Sequence, residues 1–400
     1  MSLRVAFLRV TIPPLLYSKY KDTKMKIREY FPLGVASGRA FCNREIETQT
    51  LNNNIQNGQH TVIVSPRRYG KTSLAQHALQ LSNIPYCKVD FFIIVDERTI
   101  EKLILSSINT LIGEIFGSTE KILAIMQRYV KKLKPTLSVS ANGPKIELSP
   151  SASEDPSHNI LEALLMLENM LREKKQMAVI FFDEFQEISL VEKRHGIEAA
   201  IRSVAQESQQ LSFIFSGSNR HLLSSMFEDK KRPLYKLCKK IQLERISKQH
   251  YYKHLNTLAK RKWNALLPND TFESIMTFSE CHPYYVNNIC EQLWSQSDNL
   301  PRPEDVKLVW NWLIKLEKSE VIQELAALSL NQKKIMVAIA NGLVTGLTSK
   351  DFLNQSSMAS SSVIRAIESL VKKDLIILND DKLSILDPLI KYSLKEMNWV

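Results

Sequence analysis

The 400-residue sequence predicts an α/β fold: a parallel sheet with a β-hairpin insertion, then an all-helical region, then a small C-terminal region of helices and a two-stranded wing. Three observations predict it. Apolar runs without alternation, separated by helical patterns, are typical of a parallel sheet covered on both faces. Strand patterns stop near residue 247. Close to the C-terminus, two short strand patterns follow three helical ones.

The sheet is predicted from five short runs rich in β-branched and aromatic residues. The predicted strands cover residues 60–65, 86–95, 177–182, 211–215 and 241–246, and helical spacing is found at 72–81, 100–115, 159–171 and 196–208. Between residues 136 and 151, the sequence LSVSANGPKIELSP alternates around Asn142-Gly143. Such a pair between alternating segments predicts a β-hairpin.

The remaining elements are helical until the last region. Proline residues near the starts of apolar periodic segments predict helix N-termini. The predicted helices cover residues 248–263, 270–279, 283–296, 303–316, 331–340, 349–354 and 360–373, and the last two strands cover 375–378 and 383–385. The resulting domains are an N-terminal extension at 1–30, a core at 31–247, a helical lid at 248–328 and a winged helix at 329–400.

The composition excludes several classes of protein. With 44 % hydrophobic and 24 % charged residues, the chain is neither disordered nor fibrous. No apolar run reaches the roughly 20 residues of a membrane-spanning helix, and residues 1–24 lack the pattern of a signal peptide. Met25 is an alternative to Met1 as the start of the chain. Five scattered cysteines without a CxxC pair predict reduced thiols, no zinc site and a cytoplasmic protein.

A phosphate-binding loop is the strongest motif. The segment SPRRYGKTS, residues 65–73, follows a predicted strand and opens a predicted helix. In that context, backbone N–H groups and the helix dipole bind an anion. Lys71 supplies charge to the β- and γ-phosphates, and Thr72 supplies a hydroxyl ligand for Mg²⁺. The predicted nucleotide-binding residues of this loop are Ser65, Pro66, Arg67, Arg68, Tyr69, Gly70, Lys71, Thr72 and Ser73.

The loop departs from the pattern GxxxxGK[ST] at Ser65, which stands where the first glycine usually is. Gly70 is retained, so the geometry of the turn is preserved. The alternative is a chance GK[ST] sequence before a helix, but the preceding strand argues against it.

Two acids end the strand at 177–182. Asp183 is predicted to hold Mg²⁺, and Glu184 is predicted to be the general base for the attacking water. The alternative is that the pair caps the next helix.

A third segment, LSFIFSGSNR at 211–220, places Ser218 and Asn219 where they can sense the γ-phosphate, and Arg220 where it can neutralise developing charge. The alternative there is an ordinary turn with Ser218 as N-cap.

These motifs carry a resemblance. The sequence resembles the archaeal-type ATPase family, within the STAND-like branch of P-loop NTPases related to AAA+ proteins. The matching segments occur in the family's order: FCNRE (41–45), SPRRYGKTS (65–73), FDEFQ (182–186), FSGSNR (215–220), RPLY (232–235), HPYY (282–285) and DPL (387–389).

The resemblance implies further roles. Arg44 and Glu45 match the segment that flanks the adenine, and His282 and Pro283 match the lid motif that packs near it, although Cys281 replaces the family's usual glycine. Arg220 matches the arginine that senses phosphate. No arginine finger acting in trans stands out, and Arg232 is the candidate.

The charge is unevenly distributed. Residues 230–262 contain twelve Lys and Arg residues against the single acid Glu244, so this stretch matches the whole chain's net charge of +11. It is either a contact surface for nucleic acid or acidic protein, or a solvated face.

Residues 301–400 contain thirteen basic and twelve acidic residues, although Arg365, Lys372 and Lys373 lie on the predicted recognition helix. This balance predicts a poor stand-alone DNA binder and favours packing of the winged helix on the core.

Two functions follow from these observations. The first is a nucleotide-dependent switch with slow Mg²⁺-dependent ATP hydrolysis, in which ATP closes the lid and winged helix over the core. The second is an ATP-regulated DNA-binding protein that uses the winged helix and residues 230–262. A degenerate ATPase without turnover is disfavoured by Asp183 and Glu184. The predicted partners are ATP, an unknown protein or DNA, and a second copy of the chain in a homo-oligomer, without a membrane.

Overall fold

The computed structural model describes residues 27–140, 143–150, 155–296 and 298–396. These residues form two compact units. The sheet unit comprises Asn43–Ile246 together with the described residues from Leu316 onward. The helical unit comprises the described residues up to Cys42 together with Ser247–Lys315. The domain boundaries inferred from the sequence remain predictions, and the N-terminal extension lies largely outside the described residues.

Nine strands are found among the described residues. In chain order they are β1 (Thr61–Val64), β2 (Tyr86–Asp90), β3 (Lys134–Ser140), β4 (Gly143–Ser149), β5 (Ala178–Asp183), β6 (Leu211–Gly217), β7 (Lys239–Gln242), β8 (Ile376–Asn379) and β9 (Lys382–Ile385).

The helices of the sheet unit before residue 247 surround its sheet. They are α1 (Glu45–Gln56), α2 (Lys71–Ser82), α3 (Glu97–Phe116), α4 (Glu120–Tyr129), α5 (Pro156–Lys174), α6 (Ile188–Val191), α7 (Gly196–Glu207) and α8 (Arg220–Glu228). The later helices are α9 (Lys248–Trp263), α10 (Asn269–Ser279), α11 (Pro283–Gln296), α12 (Pro303–Ala326), α13 (Leu330–Ala340), α14 (Lys350–Ser356), α15 (Ser360–Lys372) and α16 (Pro388–Glu396).

Five strands form a parallel sheet in the order β2-β5-β6-β1-β7. Every residue of β1, β5 and β6 is buried, as expected for strands covered on both faces. The predicted parallel α/β sheet is therefore confirmed. Because β6 separates β5 from β1, the carboxyl ends of these three strands lie side by side, and this is where ligands bind in open α/β sheets.

Two predicted strands have different limits in the structure. Strand β2 ends at Asp90 rather than at Val95, because the chain turns away from the sheet and leaves Phe92, Ile93 and Val95 at 66 %, 77 % and 79 % exposure. Strand β7 is Lys239–Gln242 rather than residues 241–246. An apolar run alone did not distinguish a buried strand from an exposed apolar loop.

A cluster of phenylalanines fills one face of the sheet. The rings of Phe185 and Phe215 meet edge to face with centroids 4.7 Å apart, and Phe182, Phe213 and Phe227 pack around them. All five are buried. This cluster fixes the end of β5 against β6, and so fixes the two strand ends that carry the site.

Strands β3 and β4 form the predicted antiparallel hairpin, with Ser140 opposite Gly143. Of the predicted turn pair Asn142-Gly143, residue 142 lies outside the described residues and Gly143 is the first residue of β4. Leu148 and Ile146 of β4 are buried and join the main core. The preceding helix α4 was not predicted; Thr119 caps it by accepting the N–H of Ile122 at 3.4 Å.

The winged helix of the sheet unit contains α13, α14 and α15 followed by the antiparallel pair β8 and β9. Helix α13 begins with a capping box in which Ser329 and Gln332 satisfy each other's backbone N–H groups. This confirms the predicted winged helix. Within the winged helix, α16 was missed in the sequence, and its residues Leu389, Ile390 and Leu394 are buried.

The helical unit is organised around Trp294 of α11. Its ring lies 5.0 Å from that of Phe31 and 4.7 Å from that of Trp263, measured between centroids. Asn287 donates to the carbonyl oxygen of Pro32 at 2.8 Å, which ties the segment before Cys42 to the unit. Across both units, no described helix combines the length and the apolar character needed to cross a membrane.

Candidate functional site

The predicted phosphate loop connects β1 to the first residue of α2. Gly70 ends the loop with φ of +91°, a left-handed conformation that a glycine adopts without strain. Its carbonyl oxygen accepts the N–H of Leu74 at 2.9 Å, so the helical bonding pattern begins at once. The N–H groups at the start of α2 therefore lie at the carboxyl end of the sheet, as anion binding requires.

Lys71 is buried at the centre of the site, with 6 % exposure. Its Nζ donates to the carbonyl oxygens of Ser65 at 3.2 Å and Pro66 at 3.0 Å. Burial lowers the pKa of Lys71 to about 8. The negative charges of Glu184, Asp183 and Asp374 act in the opposite direction and raise this pKa. The loop thus holds an ammonium group beside the three carboxylates.

Asp183 is the most heavily bonded group of the site. Its Oδ2 accepts the hydroxyl of Thr72 at 2.9 Å and pairs with Nζ of Lys88 at 2.8 Å, while Oδ1 accepts from Ser216. Burial raises the pKa of Asp183, but the hydrogen bond from Lys88 and those from Ser216 and Thr72 outweigh burial and hold the pKa below its ordinary value. The carboxylate is therefore ionised and fixed in orientation.

Glu184 follows in a left-handed conformation, with φ of +52°. Its Oε2 accepts the backbone N–H of Ser218 at 2.9 Å, the Ser218 hydroxyl at 2.7 Å and Nε2 of Gln186 at 2.8 Å. The carboxylate is thereby held against the tip of β6. The alternative reading of Ser218 as an N-cap is wrong, because Asn219 caps α8 by accepting the N–H of Leu222 at 3.0 Å.

Arg220 is the first residue of α8, and it contacts the winged helix. Its Nε lies 2.8 Å from Oδ1 of Asp374, its Nη2 lies 2.8 Å from the same oxygen, and its backbone N–H donates to Oδ2 at 2.9 Å. Both side chains are about 85 % buried, with 14 % and 15 % exposure. The predicted phosphate sensor is thus bound to a carboxylate of the same chain.

Arg44 lies under the phosphate loop. It is 5 % exposed, and its Nη2 donates to the carbonyl oxygens of Tyr69 at 3.4 Å and Glu244 at 2.5 Å. Its Nη1 pairs with Glu47 at 2.9 Å. Arg44 therefore joins the loop to the end of β7, whereas Arg67 and Arg68 at the tip of the loop are exposed.

Pro283 and His282 lie at the start of α11, in the helical unit. Their predicted roles near the adenine, like the nucleotide-binding roles of the other residues, remain predictions.

Within the sheet unit, the structure brings Ser65, Lys71, Thr72, Asp183, Glu184 and Ser218 together at the ends of β1, β5 and β6.

A cavity of about 550 Å³ lies between the phosphate loop, β7, α8 and the wing. Its polar wall combines neutral residues, such as Gln242 and Asn379, with basic residues and one acid, Glu244. The basic lining residues are Arg220, His221, Lys240 and Arg245.

Four residues of the site were not singled out in the sequence. Lys88 and Ser216 bond to Asp183, Gln186 bonds to Glu184, and Asp374 pairs with Arg220. The sequence could have identified Lys88 as a residue with an acidic partner, because a lysine inside an apolar strand requires a nearby anion. Asp374 carried none, since 154 residues separate it from its partner.

A second acidic cluster lies elsewhere in the sheet unit. One possible ligand atom from each of Glu192, His195 and Glu198 lies within 4.8 Å of the others. Glu198 is paired with Arg232, through Nε at 3.2 Å and through Nη2, and Glu192 accepts the N–H of Ile197. These bonds stabilise the start of α7. They also pair Arg232, the candidate arginine finger, with a carboxylate of its own chain.

Comparison with known proteins agrees with this geometry. Residues 41–289 match the family described as "ATPase domain predominantly from Archaea". The chain belongs to this family. Residues 321–396 match a probable winged helix domain. The family supports nucleotide binding and ATPase activity in this chain. Membership of the STAND branch remains a prediction.

Solved structures show the same fold. The Walker-type ATPase of Pyrococcus abyssi is 19 % identical over 92 % of this chain and 99 % of that chain, with a TM-score of 0.65. The ORC2 protein of Aeropyrum pernix, solved as ADPNP–ADP complexes, is 15 % identical over 92 % of this chain and 97 % of that chain, with a TM-score of 0.57. Among curated proteins, none matches the sequence significantly.

Proposed function

We propose that this archaeal-family ATPase binds ATP with Mg²⁺ at residues 65–73, hydrolyses it slowly and acts as a nucleotide-dependent conformational switch. One observation carries the proposal. The Thr72 hydroxyl and the Asp183 carboxylate meet at 2.9 Å beside the buried Lys71 ammonium, so a phosphate loop and an acidic strand end converge on one point. A chance GK[ST] sequence gives no reason for that convergence.

The side chains suit Mg²⁺. This ion prefers oxygen ligands and is bound through one or two carboxylates together with substrate phosphates. Thr72 Oγ1 and Asp183 Oδ2 provide such oxygens. Bound Mg²⁺ supplies positive charge to the β- and γ-phosphate oxygens during transfer.

The other residues have separate tasks. Lys71 places a positive charge at the loop, and the N–H groups at the start of α2 receive the phosphate oxygens. Glu184 orients the attacking water and accepts its proton, and its bonds to Ser218 and Gln186 hold the carboxylate in place. Because Ser218 belongs to the tip of β6, the base and the proposed γ-phosphate sensor are one hydrogen-bonded unit.

Two substitutions test the proposal. Glu184→Gln keeps an oxygen acceptor for Ser218 but removes the base, so we expect ATP binding to be retained and hydrolysis to fall at least 100-fold. Lys71→Ala should lose ATP binding. Calorimetric titration and phosphate release measure the two effects, with the exposed Glu120→Gln as control. Equal turnover in the wild type and Glu184→Gln would refute the assignment of the base.

The DNA-binding alternative is a second proposal, favoured by exposed Lys230, Lys231 and Lys239 in the sheet unit. Two other basic residues of the stretch, Arg232 and Arg245, are instead used in bonds within the chain. A gel shift with and without ATP at two salt concentrations tests it, because phosphate contacts weaken as salt rises. No shift at low salt would reject DNA binding. A cytoplasmic location and a homo-oligomer are further parts of the proposal.

A further inference from the structure

Lys88 stands between two carboxylates at the end of β2. Residues 88 and 90 are two apart on one strand, so their side chains leave the same face of the sheet. Asp90 lies opposite Asp183 in the parallel register of β2 and β5. Nζ of Lys88 lies 2.9 Å from Oδ2 of Asp90 and 2.8 Å from Oδ2 of Asp183. Two acids therefore share one ammonium group, and only one of them belongs to the proposed Mg²⁺ site.

The oxygen that Lys88 contacts is the one assigned to Mg²⁺. Oδ2 of Asp183 accepts from Thr72 and Lys88, and Oδ1 accepts from the Ser216 hydroxyl and from the backbone N–H of Glu184 at 3.2 Å. A divalent cation at Oδ2 would repel an ammonium group that lies 2.8 Å from the same atom. Thr72 can offer its oxygen to the ion while its hydrogen still points at the carboxylate. Lys88 is therefore the donor that competes with the ion.

Asp90 offers the ammonium group another position. Its side chain is 50 % exposed, against 5 % for that of Asp183, so water stabilises its charge. Its Oδ1 accepts the backbone N–H of Phe92 at 3.1 Å, which orients the carboxylate. The side chain of Lys88 is itself 27 % exposed, and its four-carbon stem is flexible. The ammonium group can thus leave Asp183 without losing its last anionic partner.

We propose that the Lys88 ammonium group competes with Mg²⁺ for Oδ2 of Asp183 and moves onto Asp90 when Mg²⁺ binds with ATP. Lys88 is then a positioning residue, which sets the Mg²⁺ concentration that the site requires. This rests on the proposed function, in which Thr72 and Asp183 hold Mg²⁺. Two consequences have opposite signs. Loss of Lys88 removes the competitor and strengthens Mg²⁺ binding, whereas loss of Asp90 removes the position to which the ammonium group moves and weakens it.

The first test measures the Mg²⁺ concentration at which ATP affinity is half-maximal, by calorimetric titration of the full chain with ATP at a series of Mg²⁺ concentrations. Lys88→Met should lower this concentration at least threefold, and Asp90→Asn should raise it at least twofold. Because Asp90 acts through Lys88, adding Asp90→Asn to Lys88→Met should change nothing further. An unchanged or raised requirement in Lys88→Met, or an equal effect of Asp90→Asn with and without Lys88, would overturn the competition.

Two exposed residues provide matched controls for the charge changes. Lys102→Met on α3 and Asp380→Asn in the turn of the wing should leave the Mg²⁺ requirement within about 1.5-fold of the wild type, because exposed charges outside the site are screened by salt. Asp90→Asn alters a half-exposed side chain and is decisive even without Lys88→Met: a requirement equal to that of the wild type would refute the movement onto Asp90.

The second test needs no nucleotide. Lys88→Met leaves Asp183 without its ammonium partner, so magnesium chloride should stabilise this variant against urea more than it stabilises the wild type. Sodium chloride at equal ionic strength is the control for screening. An equal gain in the two chains, or no gain in the variant, refutes the inference alone. Failure of the wild type to bind ATP at any Mg²⁺ concentration refutes the proposed function, and the urea experiment then still decides whether Lys88 competes with Mg²⁺.

Discussion

Thr72 donates its hydroxyl hydrogen to Oδ2 of Asp183 at 2.9 Å, although strand β6 separates the strands that lead to the two residues. The bond crosses the intervening strand at the carboxyl end of the sheet. It brings together the hydroxyl and the carboxylate that we assign to Mg²⁺. The distance between them is already short enough for one ion to contact both or to bind through water.

Removing the Thr72 hydroxyl should therefore raise the Mg²⁺ requirement of ATP hydrolysis. Thr72→Val keeps the shape of the side chain but loses the ligand and the bond, so we expect hydrolysis to fall at least tenfold and stability to fall by about 1 kcal/mol. Thr72→Ser keeps the hydroxyl and is the control. A Mg²⁺ titration of phosphate release checks this. Identical Mg²⁺ curves for Thr72→Val and the wild type would contradict the assignment.

Most of the fold could be predicted from the sequence because it depends on patterns within the chain. The apolar runs of β1, β5 and β6 are buried on both faces, and such strands have no polar face to confuse their assignment. The loop at 65–73 was found for the same reason: its residues are adjacent. Strand β2 was overextended because exposed Phe92 and Ile93 continue its apolar run.

The partners of the site residues could not be predicted in the same way. Asp374 and Arg220, or Lys88 and Asp183, meet only after the chain has folded, and neither separation has a characteristic spacing. Arg220 was assigned to phosphate because its motif is local. Its pairing with Asp374 depends on how the winged helix packs against α8, and no sequence pattern predicts that packing.

Lys88 should contribute to the free energy of unfolding through its ion pair with Asp183. Lys88→Met leaves a carboxylate that is 4 % exposed without its cation, at a cost of about 3 kcal/mol. The control is Asp90→Asn, which removes the other partner of Lys88. Because Asp90 is half exposed, that loss should cost less than about 1 kcal/mol. Urea denaturation measures both. Equal losses for the two variants would show that Lys88 does not act through Asp183.

Gly217 should not tolerate a side chain, because a Cβ there would lie 1.8 Å from Oε1 of Gln186. Gln186 must then move, and it holds Glu184. We expect Gly217→Ala to lower stability by about 1–3 kcal/mol and to reduce hydrolysis more than ATP binding.

The matched control for that substitution is Gly34→Ala, where a Cβ meets nothing within 4 Å. The double variant Gly217→Ala with Gln186→Ala should recover stability without recovering hydrolysis. Thermal unfolding and phosphate release follow the two properties. Recovery of both in the double variant would mean that Gln186 does not hold the base.

Glu192 should make stability depend on pH. Burial raises the pKa of this carboxyl from its ordinary value of 4.5 to about 7, with Glu198 adding to the rise and the N–H of Ile197 opposing it. The folded chain therefore binds more protons than the unfolded chain between those pH values. The stabilisation is present below pH 4.5 and is lost as the pH rises to 7 and above.

Glu192→Gln removes this titration while keeping an oxygen for Ile197. We expect the variant to match the wild type near pH 4.5 and to exceed its stability at pH 8 by about 2 kcal/mol, because no charge is then buried. Glu207→Gln, at an exposed acid at the end of the neighbouring helix α7, should show no such difference. Urea denaturation at both pH values measures the effect. If the gain of Glu192→Gln were the same at pH 4.5 and pH 8, it would arise from packing and not from the proton on Glu192.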